Sequence, residues 1–224
     1  MTEVIPSLPA LSYAELSQKL SLVRGMVKTF QIDVADGMFV PSRSWPMNPG
    51  DDVQFERLVR GQDRLPFADE FEFEVHFMAH SPEKLLPDWI RVGVVRALFH
   101  VEARHDFSAL RAAAGDTVEL GVSLKIGTPI ERIDAYIEHI SVVQLMGIAT
   151  IGVQGQPFDP RVLSTIREVH ARYPNVIIEV DGSVNLETAP ELIAAGARRL
   201  APGSYVFNAP DPKKAIDALT SLPL

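Results

Sequence analysis

The sequence predicts an α/β fold, specifically a (β/α)8 TIM barrel. Apolar, β-branched runs alternate along the chain with segments whose apolar residues recur at helical spacing. Eight strand–helix pairs in succession are typical of a closed barrel and not of an open sheet. A chain of 224 residues is long enough for a single barrel domain over residues 1–224.

Each predicted strand is followed by a predicted helix. The strands are expected at residues 4–10, 28–35, 72–79, 96–102, 119–125, 142–148, 175–181 and 198–202. The helices are expected near residues 13–24, 53–61, 82–92, 106–114, 129–140, 160–172, 186–195 and 211–221. A proline directly after Ser81, Thr128 and Asp159 supports three helix starts, because proline is favoured in a first turn. Gly196 predicts the end of the seventh helix.

The connection between the second and third strands, residues 36–71, is long for one strand–helix unit. It contains Trp45, Phe55 and Phe67, whose side chains are costly to leave in water. Long loops in compact domains are usually lids, contact surfaces or disordered segments. We expect an ordered lid or an oligomer contact in preference to disorder, and a homo-oligomer as the assembly.

Composition and charge restrict the functional class. Hydrophobic residues make up 46% of the chain and charged residues 22%, which argues against disorder. A formal charge of −8 argues against nucleic acid as a partner. The chain has no cysteine, no apolar run of the roughly 18 residues of a membrane span, and no signal-peptide pattern at its start. We therefore expect a cytoplasmic protein without a membrane partner.

Polar side chains gather at the predicted strand ends, where barrel enzymes carry their active sites. In chain order the ends carry Gln31, Asp33, His76, Met78, His100, Glu102, Lys125, Met146, Asp181, Gly203 and Ser204. Residues two apart on a strand share one side, so Asp33, His76 and Asp181 converge if that side is the barrel interior. Such groups are costly when unpaired, and a divalent metal ion would satisfy all three. The alternative is that each is an ordinary hydrogen-bonded residue.

The remaining polar residues receive simpler interpretations. His100 and Glu102 are expected to support the site from behind the metal ligands, unless they are ordinary hydrogen-bonded residues. The four histidines outside strand ends are interpreted as surface residues: His80, His105, His139 and His170.

Asp33 and Asp181 also indicate a type of chemistry. Two carboxylates on separate strands can reach one carbon atom from opposite faces. Removal of a proton from one face and its return to the other require this arrangement.

Three glycine-containing loops predict an anion site. Gly152 and Gly155 follow the sixth strand, Gly182 and Ser183 the seventh, and Gly203 and Ser204 the eighth. Glycine allows backbone amides to approach an anion closely, and the last two loops are the usual phosphate position in barrels. Loop glycines alone mostly serve turns. Three such loops side by side indicate a phosphorylated ligand.

Taken in order, these segments resemble the ribulose-phosphate 3-epimerase family over nearly the whole chain. The resembling segments are residues 6–7, 14–16, 32–41, 74–78 with Pro82, 99–103, 121–129, 155–156 with Phe158, 180–182, 195–197 and 203–204. The resemblance implies a barrel of the ribulose-phosphate-binding type. It also implies two-base interconversion of ribulose 5-phosphate and xylulose 5-phosphate, an isomerase reaction of the pentose phosphate pathway, through a metal-stabilised enediolate.

The resemblance further implies roles for single residues. The family holds a divalent ion (zinc, manganese, iron or magnesium) on two histidines and two aspartates, and the aspartates also act as acid and base. Asp33, His76 and Asp181 match three ligands, and Gln31 stands where the family has histidine. An amide oxygen is a weaker ligand and favours harder ions. Met78 and Met146 would line the substrate pocket.

Other departures leave two alternatives open. Ala10 stands for a serine near the substrate, Ala35 for a methionine, and Gln154 for a glycine in the altered phosphate loop. The alternatives are epimerisation of another ketose phosphate, such as a hexulose 6-phosphate, and a sugar-phosphate-binding protein without catalysis.

Overall fold

The computed structural model describes residues 2–153 and 155–223, and it confirms the predicted TIM barrel. Its nine parallel strands are β1 (Glu3–Val4), β2 (Ser7–Leu8), β3 (Thr29–Ala35), β4 (Glu72–Met78), β5 (Val94–His100), β6 (Glu119–Leu124), β7 (Val142–Met146), β8 (Ile177–Asp181) and β9 (Arg199–Ala201). From β2 to β9 each strand pairs with the next in the chain, and β1 pairs with β9. The helices alternate with the strands, as predicted.

The predicted first strand, residues 4–10, is divided into β1 and β2. Pro6 lies between them and has no N–H to contribute to a ladder. The two halves pair with opposite neighbours: Ile5 N donates to Leu200 O at 2.8 Å, and Gln31 N donates to Pro6 O at 3.0 Å. The interrupted strand therefore joins β9 to β3 and closes the barrel.

The described residues form eight α-helices, and seven of them lie near predicted positions. One predicted helix is of the wrong type. The α-helices are α1 (Tyr13–Leu22), α2 (Asp52–Val59), α3 (Pro82–Val92), α4 (Phe107–Ala114), α5 (Arg161–Arg172), α6 (Ala189–Ala195), α7 (Ser204–Phe207) and α8 (Pro212–Thr220). Residues 129–140 instead form two 3-10 helices, Ile130–Ala135 and Ile137–His139. Ile130 and Ile133 are buried three positions apart, and this spacing fits three residues per turn. The short α7 was not predicted.

The long segment after β3 packs on the outside of the barrel. Trp45 is fully buried, and its ring centroid lies 5.6 Å from that of Phe55 and 5.7 Å from that of Trp89 on α3. Ser44 fixes the segment to the end of β3, because its hydroxyl donates to Asp33 O at 2.7 Å and accepts from Ala35 N at 2.9 Å. Its role as a lid or an oligomer contact stays a prediction.

The strands separate an apolar outer layer from a polar interior. On β3, Phe30, Ile32 and Val34 belong to the main hydrophobic core, while Gln31 and Asp33 bond to side chains of other strands. None of the helices in the described part of the chain has the length and apolar character needed to cross a membrane.

Candidate active site

Asp33, His76 and Asp181 meet at the carboxyl ends of the strands, as the sequence predicts. Asp33 and His76 are register partners on β3 and β4, and Asp181 ends β8. His76 Nδ1 lies 3.0 Å from Asp33 Oδ1 and 3.9 Å from Asp181 Oδ2. One potential ligand atom from each residue lies within 4.8 Å of the others, so the three could hold one metal ion.

Two neighbouring carboxylates make this site electrostatically unusual. Burial, together with the negative charge of Asp33, raises the pKa of Asp181 to about 7, although His76 opposes the shift. Burial alone would lower the pKa of His76, but the two aspartates outweigh it and raise this pKa. The site therefore favours a bound proton or another positive charge between the carboxylates.

A pocket opens directly above these aspartates. Ten predicted site residues line it: Asp33, Asp181, Met78, Met146, Gly152, Gly155, Gly182, Ser183, Gly203 and Ser204. Gln31 and His76 are fully buried and lie behind the pocket wall. The described residues that line the pocket include neither lysine nor arginine. The three glycine loops thus face the same pocket as the two aspartates.

Two of these glycines are required by the backbone. Gly152 has φ +79°, and a Cβ there would lie 2.8 Å from Val40 Cβ. Gly182 has φ +101°, and a Cβ there would lie 2.8 Å from Ile148. A side chain at either position would be both strained and crowded. The loops after β7 and β8 are joined by the hydroxyl of Ser183, which donates to Gln156 O.

The ribulose-phosphate 3 epimerase family matches residues 3–207 of this chain. The chain belongs to this family. The ribulose-phosphate 3-epimerase of Bacillus subtilis (strain 168) is 33% identical over 226 residues, covering 98% of each chain. A rice protein (Oryza sativa subsp. japonica) named "Ribulose-phosphate 3-epimerase, cytoplasmic isoform" is 27% identical, covering 97% of this chain and 92% of that protein. Membership confirms the predicted enzyme class, an isomerase.

A solved structure outside the epimerases shares the fold. The 3-keto-L-gulonate-6-phosphate decarboxylase of Vibrio cholerae O1 biovar El Tor superposes with a TM-score of 0.67. The two chains are 11% identical, with 98% of this chain and 95% of the other covered. At this identity the likeness shows the barrel fold alone.

Gln31, which stands where the resemblance implies a histidine, has an amide with a defined orientation. Its Nε2 donates to Asp33 Oδ1 at 2.8 Å and lies 3.5 Å from His76 Nδ1. Its Oε1 accepts from Gln144 Nε2 at 2.8 Å. The amide nitrogen therefore faces Asp33 and His76, and ligation by the Gln31 oxygen would require the amide to turn over.

The resemblance implies different residues at three further positions, 35, 10 and 154. Ala35 packs with Met78 and Met146 in a small apolar cluster at the pocket. Ala10 is buried, and its carbonyl accepts from Trp45 N at 2.7 Å. Gln154 lies outside the described residues.

His100 and Glu102 stand behind His76, as predicted. His100 Nδ1 lies 3.1 Å from Glu102 Oε2, and His100 Nε2 lies 3.1 Å from His76 Nε2. Burial lowers the pKa of His100 to about 4, whereas hydrogen bonds from His100, Thr128 and Lys125 N outweigh burial and lower that of Glu102 to about 2. A neutral His100 that donates to Glu102 can only accept from His76, so a neutral His76 carries its free lone pair on Nδ1. That lone pair faces the aspartates.

The lowered pKa of His100 predicts a pH effect on stability. An unfolded histidine binds a proton below about pH 6.5, whereas folded His100 resists protonation down to about pH 4. The free energy of unfolding should therefore fall as pH decreases from 6.5 to 4. In His100→Gln this contribution is removed, so denaturant melts should show a shallower decline over that range. If the free energy of unfolding depends on pH in the same way in both proteins, this prediction is contradicted.

Sequence reasoning missed two polar residues of the barrel, Ser7 and Gln144. Ser7 Oγ donates to Asp181 Oδ1 at 3.3 Å. Gln144 is a fully buried amide on β7. A polar residue within an apolar strand pattern is the sequence signal that could have identified it. Asp36 anchors a turn, because it accepts the N–H groups of Met38, Phe39 and His80.

The predicted surface histidines divide into two pairs. His139 and His170 are exposed, as predicted. His80 and His105 are half-buried. Arg104 N donates to His80 Nδ1 at 3.1 Å, and His105 Nε2 lies 3.0 Å from the Tyr136 hydroxyl. These two histidines are therefore partly exposed and hydrogen-bonded to neighbouring residues.

Proposed function

We propose that this protein is a ribulose-phosphate 3-epimerase that interconverts ribulose 5-phosphate and xylulose 5-phosphate. The observation that carries this proposal is the placement of Asp33 and Asp181 on one pocket with three glycine loops. The aspartates supply two proton-transfer groups from separate strands, and the loops supply backbone around an anion. The family membership and the name of the Bacillus subtilis relative support the choice of substrate.

Asp33 and Asp181 would act as the acid and the base. One carboxylate removes the proton on C3, next to the ketose carbonyl, and gives an enediolate. The other returns a proton to the opposite face and inverts C3. The reaction is reversible, so the two roles exchange with direction. A carboxyl with a pKa near 7, as at Asp181, can both give and take a proton near neutral pH.

The donor set of Asp33, His76 and Asp181 fits a divalent metal ion. Two carboxylates and one imidazole nitrogen suit zinc, manganese, iron or magnesium. Asp33 and Asp181 repel one another when both are ionised, and a positive charge between them would relieve this repulsion. A bound ion would polarise the ketose carbonyl and stabilise the negative charge that develops on it. His100 and Glu102 would keep the Nδ1 lone pair of His76 available for it.

The rest of the pocket would position the sugar. Met78 and Met146 present an apolar, adaptable wall beside the aspartates, which limits the access of water to the reacting carbon. The glycines and serines of the loops after β7, β8 and β9 would hold the phosphate at the far side of the pocket. The sugar then extends from the phosphate toward Asp33 and Asp181.

We also propose a cytoplasmic homo-oligomer in one barrel domain. The name of the rice relative supports the compartment. Leu11, Met38 and Val53 are apolar and at least 67% exposed, and burial of these side chains against a second copy would stabilise the assembly. Residues 36–71 contribute Met38 and Val53, so this segment is the proposed contact.

Solvent-deuterium exchange at C3 tests the proposed reaction. Purified protein is incubated with ribulose 5-phosphate in D₂O, and NMR follows loss of the C3 proton and formation of xylulose 5-phosphate. We expect both. A hexulose 6-phosphate tested in parallel should react more slowly. Faster reaction of the hexulose would identify another ketose-phosphate epimerase, and binding of both sugars without exchange would identify a non-catalytic protein.

The metal site predicts that Gln31→His tightens metal binding. Histidine would add a nitrogen ligand beside Asp33 and His76, so we expect affinity to rise about tenfold or more. Competition with a chromophoric chelator measures the dissociation constant of both proteins. An unchanged constant would show that position 31 does not face the ion.

A further inference from the structure

A chain of buried amides and carboxylates runs through the barrel behind the pocket. Gln144 Nε2 donates to Glu179 Oε1 at 2.9 Å and to Gln31 Oε1 at 2.8 Å. Gln144 Oε1 accepts from Ser123 Oγ at 2.8 Å. All four side chains are fully buried, and the chain ends where Gln31 Nε2 donates to Asp33.

The orientation of each amide follows from its neighbours. Both ends of the Gln144 amide are paired in this orientation, because its nitrogen donates to Glu179 Oε1 and its oxygen accepts from the Ser123 hydroxyl. The second hydrogen of the same nitrogen points to Gln31, which must therefore present its oxygen. The Gln31 nitrogen is left to face Asp33. Turning Gln31 over would place its oxygen against a carboxylate oxygen and its nitrogen against the Gln144 nitrogen, both unfavourable contacts when buried.

We propose that Gln31 is a positioning residue that donates a hydrogen bond to Asp33 and is not a metal ligand, and that Gln144 fixes it in this orientation. The inference rests on the proposed function, in which Asp33 transfers the proton. It assigns a three-residue donor set of Asp33, His76 and Asp181 to the metal ion.

The contacts of Asp33 show what this donor does. Both Gln31 Nε2 and His76 Nδ1 lie on Oδ1, at 2.8 and 3.0 Å, which leaves Oδ2 free of these two side chains. Fixing one oxygen holds the carboxylate plane, so the other oxygen keeps one direction. Gln31 does not line the pocket and is fully buried, so it acts on the substrate through its neighbours, with Asp33 at 2.8 Å closer than His76 at 3.5 Å. The positive end of its amide dipole also disfavours a cation on that side.

Gln31→Met separates the two roles, because methionine keeps the unbranched shape but has no hard ligand atom and no donor. Cobalt(II) serves as the probe, since its visible absorption bands change with the number and geometry of its ligands. We expect the intensity of these bands, which reports the number of ligands, to be the same in the parent protein and in Gln31→Met, while a small shift in band position would reflect the altered hold on Asp33. An intensity change of the size that follows loss of a ligand, or loss of the bound ion, would overturn the proposal because Gln31 would then be a ligand.

A double-mutant cycle tests the role of Gln144. Gln31→Met and Gln144→Met should each lower kcat about tenfold, with a smaller change in KM, because each releases Asp33 from its fixed position. In the double variant the second change should cost little more, since both residues act through one hydrogen bond. If the two losses of kcat instead multiply in the double variant, Gln144 acts independently of Gln31 and the proposal is overturned.

Controls keep the result interpretable. Thr29→Val is the control, because it removes a different buried polar group of β3. The Thr29 hydroxyl donates to Glu3 Oε1 at 3.0 Å at the opposite end of the barrel, so its loss should leave kcat unchanged. A tenfold loss there would show that any interior polar deletion slows the enzyme and would overturn the specific role. The cobalt spectra need no activity, so they test Gln31 even if the parent protein fails to epimerise ribulose 5-phosphate.

Discussion

Asp33→Asn and Asp181→Asn should each lower kcat for C3 epimerisation by about 10²–10⁴-fold while the barrel stays folded. Asparagine keeps the shape of aspartate but cannot accept a proton. Asp33 is buried and the Asp181 side chain is only 13% exposed at the pocket, so water is a poor substitute for either carboxylate. Coupled assays with ribulose 5-phosphate measure the loss, and circular dichroism measures the fold.

Deuterium exchange at C3 can also test the two carboxylates one at a time. If each carboxylate serves one face of C3, a variant that lacks one base should still exchange the C3 proton of one epimer. That proton returns to the same face, so NMR should show deuterium uptake with retention. One of the two variants should still exchange the C3 proton of ribulose 5-phosphate, and the other should still exchange the C3 proton of xylulose 5-phosphate. Near-normal turnover of either variant would refute the two-base assignment.

Metal loss is the competing explanation, because both aspartates also belong to the proposed donor set. Metal content is therefore measured for each variant, and the assays are repeated with added ion. Asp88→Asn is the matched control: Asp88 is exposed on α3 and pairs with Arg91 at 2.7 Å, so its turnover should equal that of the parent protein.

The parts of the fold that sequence predicts well are those set by local pattern. Strand ends alternate in a fixed way, so Asp33 and His76 could be placed on the interior side before the register that pairs them was known. Pro6 was visible, yet its effect on the first strand depends on pairing with two different neighbours. The 3-10 helices after β6 show a limit of another kind, since Ile130 and Ile133 fit either helix type over one turn.

The parts that sequence predicts poorly depend on partners far apart in the chain. The direction of the Gln31 amide is decided by Gln144 and Glu179, which are 113 and 148 positions away, and no local pattern encodes that choice. Sequence reasoning therefore gave Gln31 the role of its family counterpart. The barrel interior instead presents its nitrogen to Asp33. Ser7 was missed for the same reason, because its partner Asp181 lies at the other end of the chain.

The phosphate group should matter as much as either carboxylate: we expect kcat/KM for unphosphorylated ribulose to be about 10⁴-fold below that for ribulose 5-phosphate. A site built to hydrogen-bond a substrate group rejects an analogue that lacks it by about this factor. The described lining residues include no lysine or arginine, so oriented backbone N–H groups would have to hold the dianion. Binding of the remote phosphate then positions C3 between the aspartates.

Gly203→Val locates this effect in the glycine loops. Gly203 lines the pocket and precedes α7, and a branched side chain there would occupy space that the phosphate needs. Loss of one or two hydrogen bonds to a charged group should raise KM for ribulose 5-phosphate about tenfold or more. The same variant should change kcat/KM for free ribulose far less, because that sugar has no phosphate to displace. Equal efficiency of the parent protein on ribulose and ribulose 5-phosphate would refute the phosphate site. An equal loss on both sugars in Gly203→Val would show instead that valine had distorted the aspartate end of the pocket.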